Sequence, residues 1–222
     1  MEKTFLYHAL ASGVSGQITL PFQHLVEVQA ASALPMTGGH SASRVEGFRY
    51  KDIFSFSSAS TITTGSESRE SYNTLATATV EGLNIFNVIT ADRVVARLAS
   101  KYSKETRKYS ATFAGSHFVN LRVAGKLVEV EIAPERFKSS PRSEKIQFGS
   151  IAAAIDLSDS CGSEVCEDGA IYIPELGRLY FAECVVTPCY QSISMFRVNL
   201  GCATKGHVTA ATASTNGEAL PG

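Results

Sequence analysis

The sequence predicts an all-β fold, a sandwich or barrel of antiparallel strands joined by long polar loops. Three observations carry this. The densest apolar stretches, residues 75–100 and 116–132, alternate apolar and polar positions over much of their length, as half-buried strands do. Gly, Ser, Thr, Ala and Val are abundant and Trp is absent, a composition suited to short strands and tight turns. Turn signals recur along the chain, which at 222 residues fits one β-rich domain of roughly eight to twelve strands. The expected domain spans residues 1–210, with 211–222 as a mobile C-terminal tail.

Taken in order, residues 1–16 (MEKTFLYHALASGVSG) have a short apolar stretch broken by Tyr7 and His8, with Lys3 balanced by Glu2. They read as mature protein and not as a signal peptide, so the expected location is cytoplasmic, or outside by a non-classical route. Residues 15–28 form a first strand region that Pro21 confines to an edge or a bend. Residues 30–43 (AASALPMTGGHSAS) read as a long loop. Residues 48–64 read as a strand pair interrupted near Lys51-Asp52, and residues 65–73 as a polar turn.

In the first dense stretch, Thr77, Thr79 and Glu81 alternate with Ala78 and Val80. Gly82 then interrupts, and Leu83 and Ile85 continue the apolar series in the opposite parity, as a β-bulge would produce. From Ala91 onward two readings meet. A strand points Val94, Ala96 and Leu98 inward and Arg93 and Arg97 outward; a helix capped by Thr90 makes a stripe of Val94, Val95 and Leu98. The strand is favoured.

In the second stretch, Ala124-Gly125 predicts a two-residue hairpin loop. Val123 then faces Lys126, Leu121 faces Val128 and Val119 faces Val130. Val119, Leu121, Val123, Val128 and Val130 share the apolar face, and Asn120, Arg122, Glu129 and Glu131 the polar one. Residues 101–109 and 134–147 read as charged and polar connectors. Residues 171–186 read as two strands about the turn Pro174-Glu175-Leu176-Gly177, and residues 192–200 as another strand.

One succession of residues is familiar: Ala78-x-Val80-x-Gly82-Leu83-x-Ile85, then Ala91-Asp92-x-Val94-x-Ala96, then Asn120-Leu121-x-Val123-x-Gly125-x-x-Val128. It continues as Ile173-Pro174-x-Leu176-Gly177-x-Leu179 and ends in the strand Met195-Phe196-Arg197-Val198-Asn199-Leu200. Together it resembles bacterial β-rich proteins of the choice-of-anchor P type and related uncharacterised bacterial proteins. The resemblance spans about residues 10–210 and implies an all-β domain, often exported and held at a cell surface. It implies no activity and no catalytic residues. The expected departures are the lack of an export signal in residues 1–16 and of a sorting anchor at Leu220-Pro221-Gly222.

Chemistry-bearing residues are sparse. Cys161 and Cys166 are separated by four residues, as are Cys184 and Cys189, and Cys202 is odd. Free thiols are the favoured reading, with Cys184 buried in a strand; disulfides need an oxidising compartment, and structural zinc prefers tighter spacing. Should the two dense stretches be neighbours, Asp92, Arg93 and His117 could converge, and a His–carboxylate pair works as acid or base. The plainer reading has His117 starting a strand and Asp92 paired with an arginine. His8, His24, His40 and His207 are scattered singly. There is no Gly-x-Ser-x-Gly, phosphate loop or dinucleotide fingerprint, and no cofactor or metal is expected.

A net charge of −1, with charged residues at 18%, offers no basic field for nucleic acid. No apolar run suits a transmembrane helix. The leading expectation is a non-enzymatic binding or surface-associated module, working through loops at 30–43 and 101–115 on a protein, glycan or small-molecule ligand. Homo-oligomerisation is open. A second expectation is a small β-barrel enzyme with an apolar substrate in an internal cavity, using Asp92, Arg93 and His117. A third is a membrane-active, toxin-like protein with residues 54–64 as an amphipathic hairpin.

Overall fold

From residue 5 to residue 132 strand follows strand with short connections between, as the alternating sequence requires. The structure is a computed structural model that describes residues 5–132, 145–147, 150–151, 164–165, 170–187, 190–201 and 203–219. The chain begins with β1 (Phe5–Leu6), β2 (Ala9–Leu20) and β3 (His24–Ala33), followed by the meander β4 (Gly39–Tyr50), β5 (Phe54–Glu67), β6 (Ser71–Ile85) and β7 (Ile89–Ser103). Short strands come next: β8 (Tyr109–Thr112), β9 (His117–Val119), β10 (Arg122–Val123), β11 (Lys126–Leu127) and β12 (Val130–Glu131). After β13 (Lys145–Gln147), β14 (Ser150–Ile151), β15 (Glu164–Val165) and β16 (Ile171–Ile173) come the longer β17 (Gly177–Val186), β18 (Gln191–Gly201) and β19 (Lys205–Thr215), then β20 (Glu218–Ala219).

Two antiparallel sheets face each other. The first runs β11-β10-β7-β6-β5-β4, with β8 and β9 also on β7; the second runs β15-β16-β17-β18-β19-β2-β3, with β13 on β17. Each stays open at its edges, so of the two architectures expected the sandwich is the one formed. No helix among the described residues is long and apolar enough to cross a membrane. At one end of the sandwich β1 pairs with β20, and an aromatic cluster forms around Phe5, whose ring stacks on Tyr72 at 4.4 Å.

The parity switch at Gly82 is present, and it is not local. Inward residues of β6 are Ala76, Ala78 and Val80 up to Gly82, then Leu83 and Ile85 beyond it. The same reversal occurs at Gly47 on β4, Ser57 on β5, Asp92 on β7 and Asn120 beside β9, all at one level of the sheet. Pairing keeps one register across it: Glu46 faces Ser58 and Phe48 faces Phe56; Glu81 faces Arg93 and Leu83 faces Ala91. No strand therefore carries an unmatched extra residue, as a bulge requires. Instead every second strand places one residue in the left-handed region, at Gly47 (φ 62°), Gly82 (φ 61°) and Asn120 (φ 50°). The sheet is creased across its width.

The second sheet has its own crease. It runs through Ala182, Met195, Ala211, Gly13 and Ala30, with left-handed backbone at Ala182 (φ 48°), Ala211 (φ 52°) and Ala30 (φ 56°). Here the crease residues are buried between the sheets, whereas those of the first sheet are exposed on its outer surface. One sheet thus offers a ridge and the other a furrow, and small side chains let them meet. A Cβ added at Gly13 would lie 2.9 Å from the Cβ of Ala59.

The structure corrects several sequence expectations. Residues 30–43 are not a long loop: β3 runs to Ala33 and β4 starts at Gly39. Ala30, Ser32 and Leu34 alternate inward, but their small side chains give little hydropathy signal. Likewise 101–115 is not all loop: it holds the end of β7 and the whole of β8. Residues 211–215 are not tail but strand: β19 lies between β2 and β18, burying Ala211 and Ala213. Val119 is exposed, because left-handed Asn120 turns the chain before Leu121, and Val130 pairs with Ile151 on β14. The 124–125 hairpin stands, with Val123 facing Lys126, and so does the strand reading of residues 91–100. The connector at 134–147 lies outside the described residues except for β13.

The crease makes the first prediction. Gly13→Val should force the sheets apart and destabilise the protein by about 1–3 kcal/mol, the usual cost of overpacking. Gly82→Ala should cost about 1–2 kcal/mol through its left-handed backbone, and more because its Cβ would lie 2.7 Å from Ser57 Oγ. Urea unfolding midpoints measure both; unchanged midpoints would show that the creases do not need these glycines.

Candidate functional site

The residues singled out by sequence share the outer face of the first sheet but do not form one site. Asp92, at the crease, accepts a hydrogen bond from Asn120 Nδ2 at 2.6 Å. Arg93 holds Glu81, Nη2 to Oε1 at 2.8 Å. The Ser58 hydroxyl and the Arg93 guanidinium both bond the Glu81 carboxylate and hold its pKa below the usual carboxylate range. The His117 Nδ1 donates to the Gly115 carbonyl at 2.8 Å, since a carbonyl can only accept. In register His117 faces Val95 while Arg93 faces Val119, so no His–carboxylate pair forms between His117 and Asp92.

A more coherent constellation lies further along the same face. On β7 the outward residues Arg97, Ala99 and Lys101 follow one another, so a methyl group separates two long cationic side chains. Cross-strand pairing completes rows on either side. Thr64, Leu75, Ala99 and Thr112 form one, and Ser66, Asn73, Lys101 and Ser110 the next. Together they line an open trough of about 440 Å³, floored by Leu75 and Ala99 and walled by hydroxyl and amide groups. None of its lining residues is aromatic.

The backbone at Arg97 is fixed by the neighbouring turn. The Ser116 hydroxyl accepts from the Arg97 N–H at 2.8 Å and donates to the Arg97 carbonyl at 3.0 Å, clipping the 113–117 turn to β7. The Arg97 side chain passes over Gly115, where a Cβ would come within 3.1 Å of its Cδ. Neither Arg97 nor Lys101 has an acid partner among the described residues, whereas the nearby Lys104 is tied to Glu67 at 2.5 Å. Sequence reasoning placed Arg97 outward and Lys101 in a charged connector. The alternation Arg97-x-Ala99-x-Lys101 would have revealed the pair once the strand was extended past Ser100.

The second sheet carries a different cation. Arg197 makes a fork to Glu183, both bonds 2.6 Å, and lies 4.0 Å from the Tyr180 ring centroid. Its charge is neutralised in place, so the cluster ties β17 to β18 and offers no free charge. Beside it Cys184 is buried, as expected, and burial with the neighbouring Glu183 carboxylate pushes its thiol up to about 12. Cys161, Cys166, Cys189 and Cys202 lie outside the described residues. Among the described residues no group of three or more His, Cys, Asp or Glu is placed to hold a metal ion.

Comparison with known families adds one result: residues 5–159 match the family described as Domain of unknown function (DUF8256). The chain belongs to that family. The match takes in the whole meander and the trough, and it ends before β17, β18 and β19 of the second sheet. No curated protein and no solved structure matches the chain.

The Cys184 environment makes the second prediction. A thiol whose pKa is raised on folding stabilises the fold below the ordinary thiol range, and this is lost as pH climbs toward about 12. At about pH 8 the folded protein should leave Cys184 unalkylated by iodoacetamide, and denaturant should make it reactive. Peptide mapping by mass spectrometry reads both states; rapid labelling of Cys184 in the folded protein would contradict its burial.

Proposed function

We propose that the chain is a non-enzymatic binding module whose outer trough takes an acidic polysaccharide. The observation that carries this reading is the pair of cations without an acid partner among the described residues, Arg97 and Lys101, on either side of Ala99. A polymer bearing carboxylates meets both charges, and its hydroxyls meet Thr64, Asn73, Ser110 and Thr112. Neutral sugars and single-stranded nucleic acids are commonly held by aromatic stacking platforms, and the trough has none. The sheet fixes the spacing of the two Cα atoms, so the backbone needs no reordering on binding. The resemblance to choice-of-anchor P type proteins supports a surface-associated setting, where such polymers are met.

Affinity electrophoresis in gels containing polygalacturonate or neutral dextran tests the reading. The wild-type protein should be retarded by polygalacturonate alone, and less so as salt is raised. Replacing both Arg97 and Lys101 by Gln should weaken binding by roughly ten- to a hundredfold, with the thermal midpoint held. Equal retardation by neutral dextran, or no loss in the double variant, would refute it.

A further inference from the structure

At the opposite end of the sandwich the β2–β3 turn presents an apolar tip. Leu20, Phe22, Leu25 and Val28 are 43%, 72%, 68% and 48% exposed, a concentration found nowhere else among the described residues. Leu20 and Phe22 stand at the turn, and Leu25 and Val28 continue along the edge strand β3. The tip is the end of the hairpin that joins β2 to β3.

Cations surround it. Lys51, in the adjacent β4–β5 turn, places its Nζ 6.0 Å from the Phe22 ring centroid and 5.6 Å from that of Tyr50. Lys205 pairs directly with Leu20 in the ladder. Neither lysine has an acid partner among the described residues. Of the acids nearby, Asp52 is held by Arg49 at 2.6 Å, and Glu27 stands alone on β3 between Leu25 and Val28. An apolar hairpin end flanked by free ammonium groups is the combination that docks on anionic bilayers. The rings and aliphatic groups enter the headgroup region while the lysines meet lipid phosphates and carboxylates.

We infer that the β2–β3 tip seats this protein on an anionic lipid surface through Phe22, Leu25, Lys51 and Lys205. The trough is unobstructed by this. Thr64 lies ten residues along β5 from Phe54 at the tip end, about 33 Å at the rise of a strand.

Co-sedimentation of the full chain with phosphatidylcholine vesicles, with and without phosphatidylserine, tests the inference. Binding is expected only with phosphatidylserine, falling as salt is raised. Phe22→Ser and Leu25→Ser should each reduce it by about tenfold. Should either variant fail to fold, the pair Lys51→Gln and Lys205→Gln, both at exposed positions, carries the same expectation. Absence of binding to phosphatidylserine vesicles overturns the inference, as does binding that none of these substitutions weakens. A concentration-dependent dimer in light scattering, abolished by Phe22→Ser and without vesicle binding, would assign the tip to a second copy of this chain and overturn it equally. Binding to polygalacturonate with Arg97 and Lys101 intact is independent of every one of these results.

Discussion

The structure depends on one steric constraint: a ridge on one sheet must fit a furrow in the other. Both sheets reverse their inward face at a single level, in opposite senses, so the two creases nest. Nesting brings backbones close, and four of the five crease residues of the second sheet, all but Met195, are Gly or Ala. Gly13 faces Ala59, and Ala30, Ala182 and Ala211 make up much of the rest of the ridge. The surrounding interior is rich in alanine as well, with Ala76, Ala78, Ala96, Ala210 and Ala213 fully buried. Bulk is supplied to either side, where Phe54, Phe56, Phe181 and Phe196 fill the space the diverging sheets leave. A core built this way is closely packed without being strongly hydrophobic by composition.

That explains which parts of the fold were legible in the sequence. Leu83, Ile85, Val94 and Leu98 are large, so their alternation announced β6 and β7; Gly82 marked the parity switch but suggested a bulge, where the whole sheet is creased. Ile173 and Leu179 did the same for β16 and β17 about Gly177. Where the inward residues are small the signal vanished. Ala30 and Ser32 read as loop and Ala211 and Ala213 as tail, though all four are buried in strands. The left-handed alanines were hidden for a second reason. Sequence reasoning assigns that backbone to Gly or Asn, because alanine there costs about 1–2 kcal/mol. Ala30, Ala182 and Ala211 sustain it because each is held in the ladder of a neighbouring strand, Ala211 on both sides, and is buried against the opposing sheet.

The same physics governs what could be foreseen of the surface. The two dense stretches that carry Asp92, Arg93 and His117 do lie side by side, since β7 and β9 pair. Pairing places residues, however, and does not choose their partners. Glu81 and Asn120 stand nearer, and each takes one of the groups a catalytic pair would need. The trough is the reverse case. No motif marks it, because its walls are single residues from β5, β6, β7 and β8 that become a set only through register. Arg97 and Lys101 keep their charges free because the residues facing them across the ladder, Thr77 and Asn73 on β6, are uncharged.

The ridge also sets how the chain must fold. Its residues come from both ends of the sequence: Gly13 and Ala30 from the first hairpin, Ala182, Met195 and Ala211 from the last strands. The meander β4–β7 is local and can form from neighbouring hairpins, but its furrow stays unfilled until β2 meets β19. That pairing joins Val14 to Ala210 across nearly the whole chain. Closing so long a loop has a large entropic cost before any contact repays it, which slows folding in sheets of this kind. The terminal strands are therefore strongly constrained once the sandwich has formed, although their inward side chains are mostly small. They sit at its centre, and the crease cannot be completed without both.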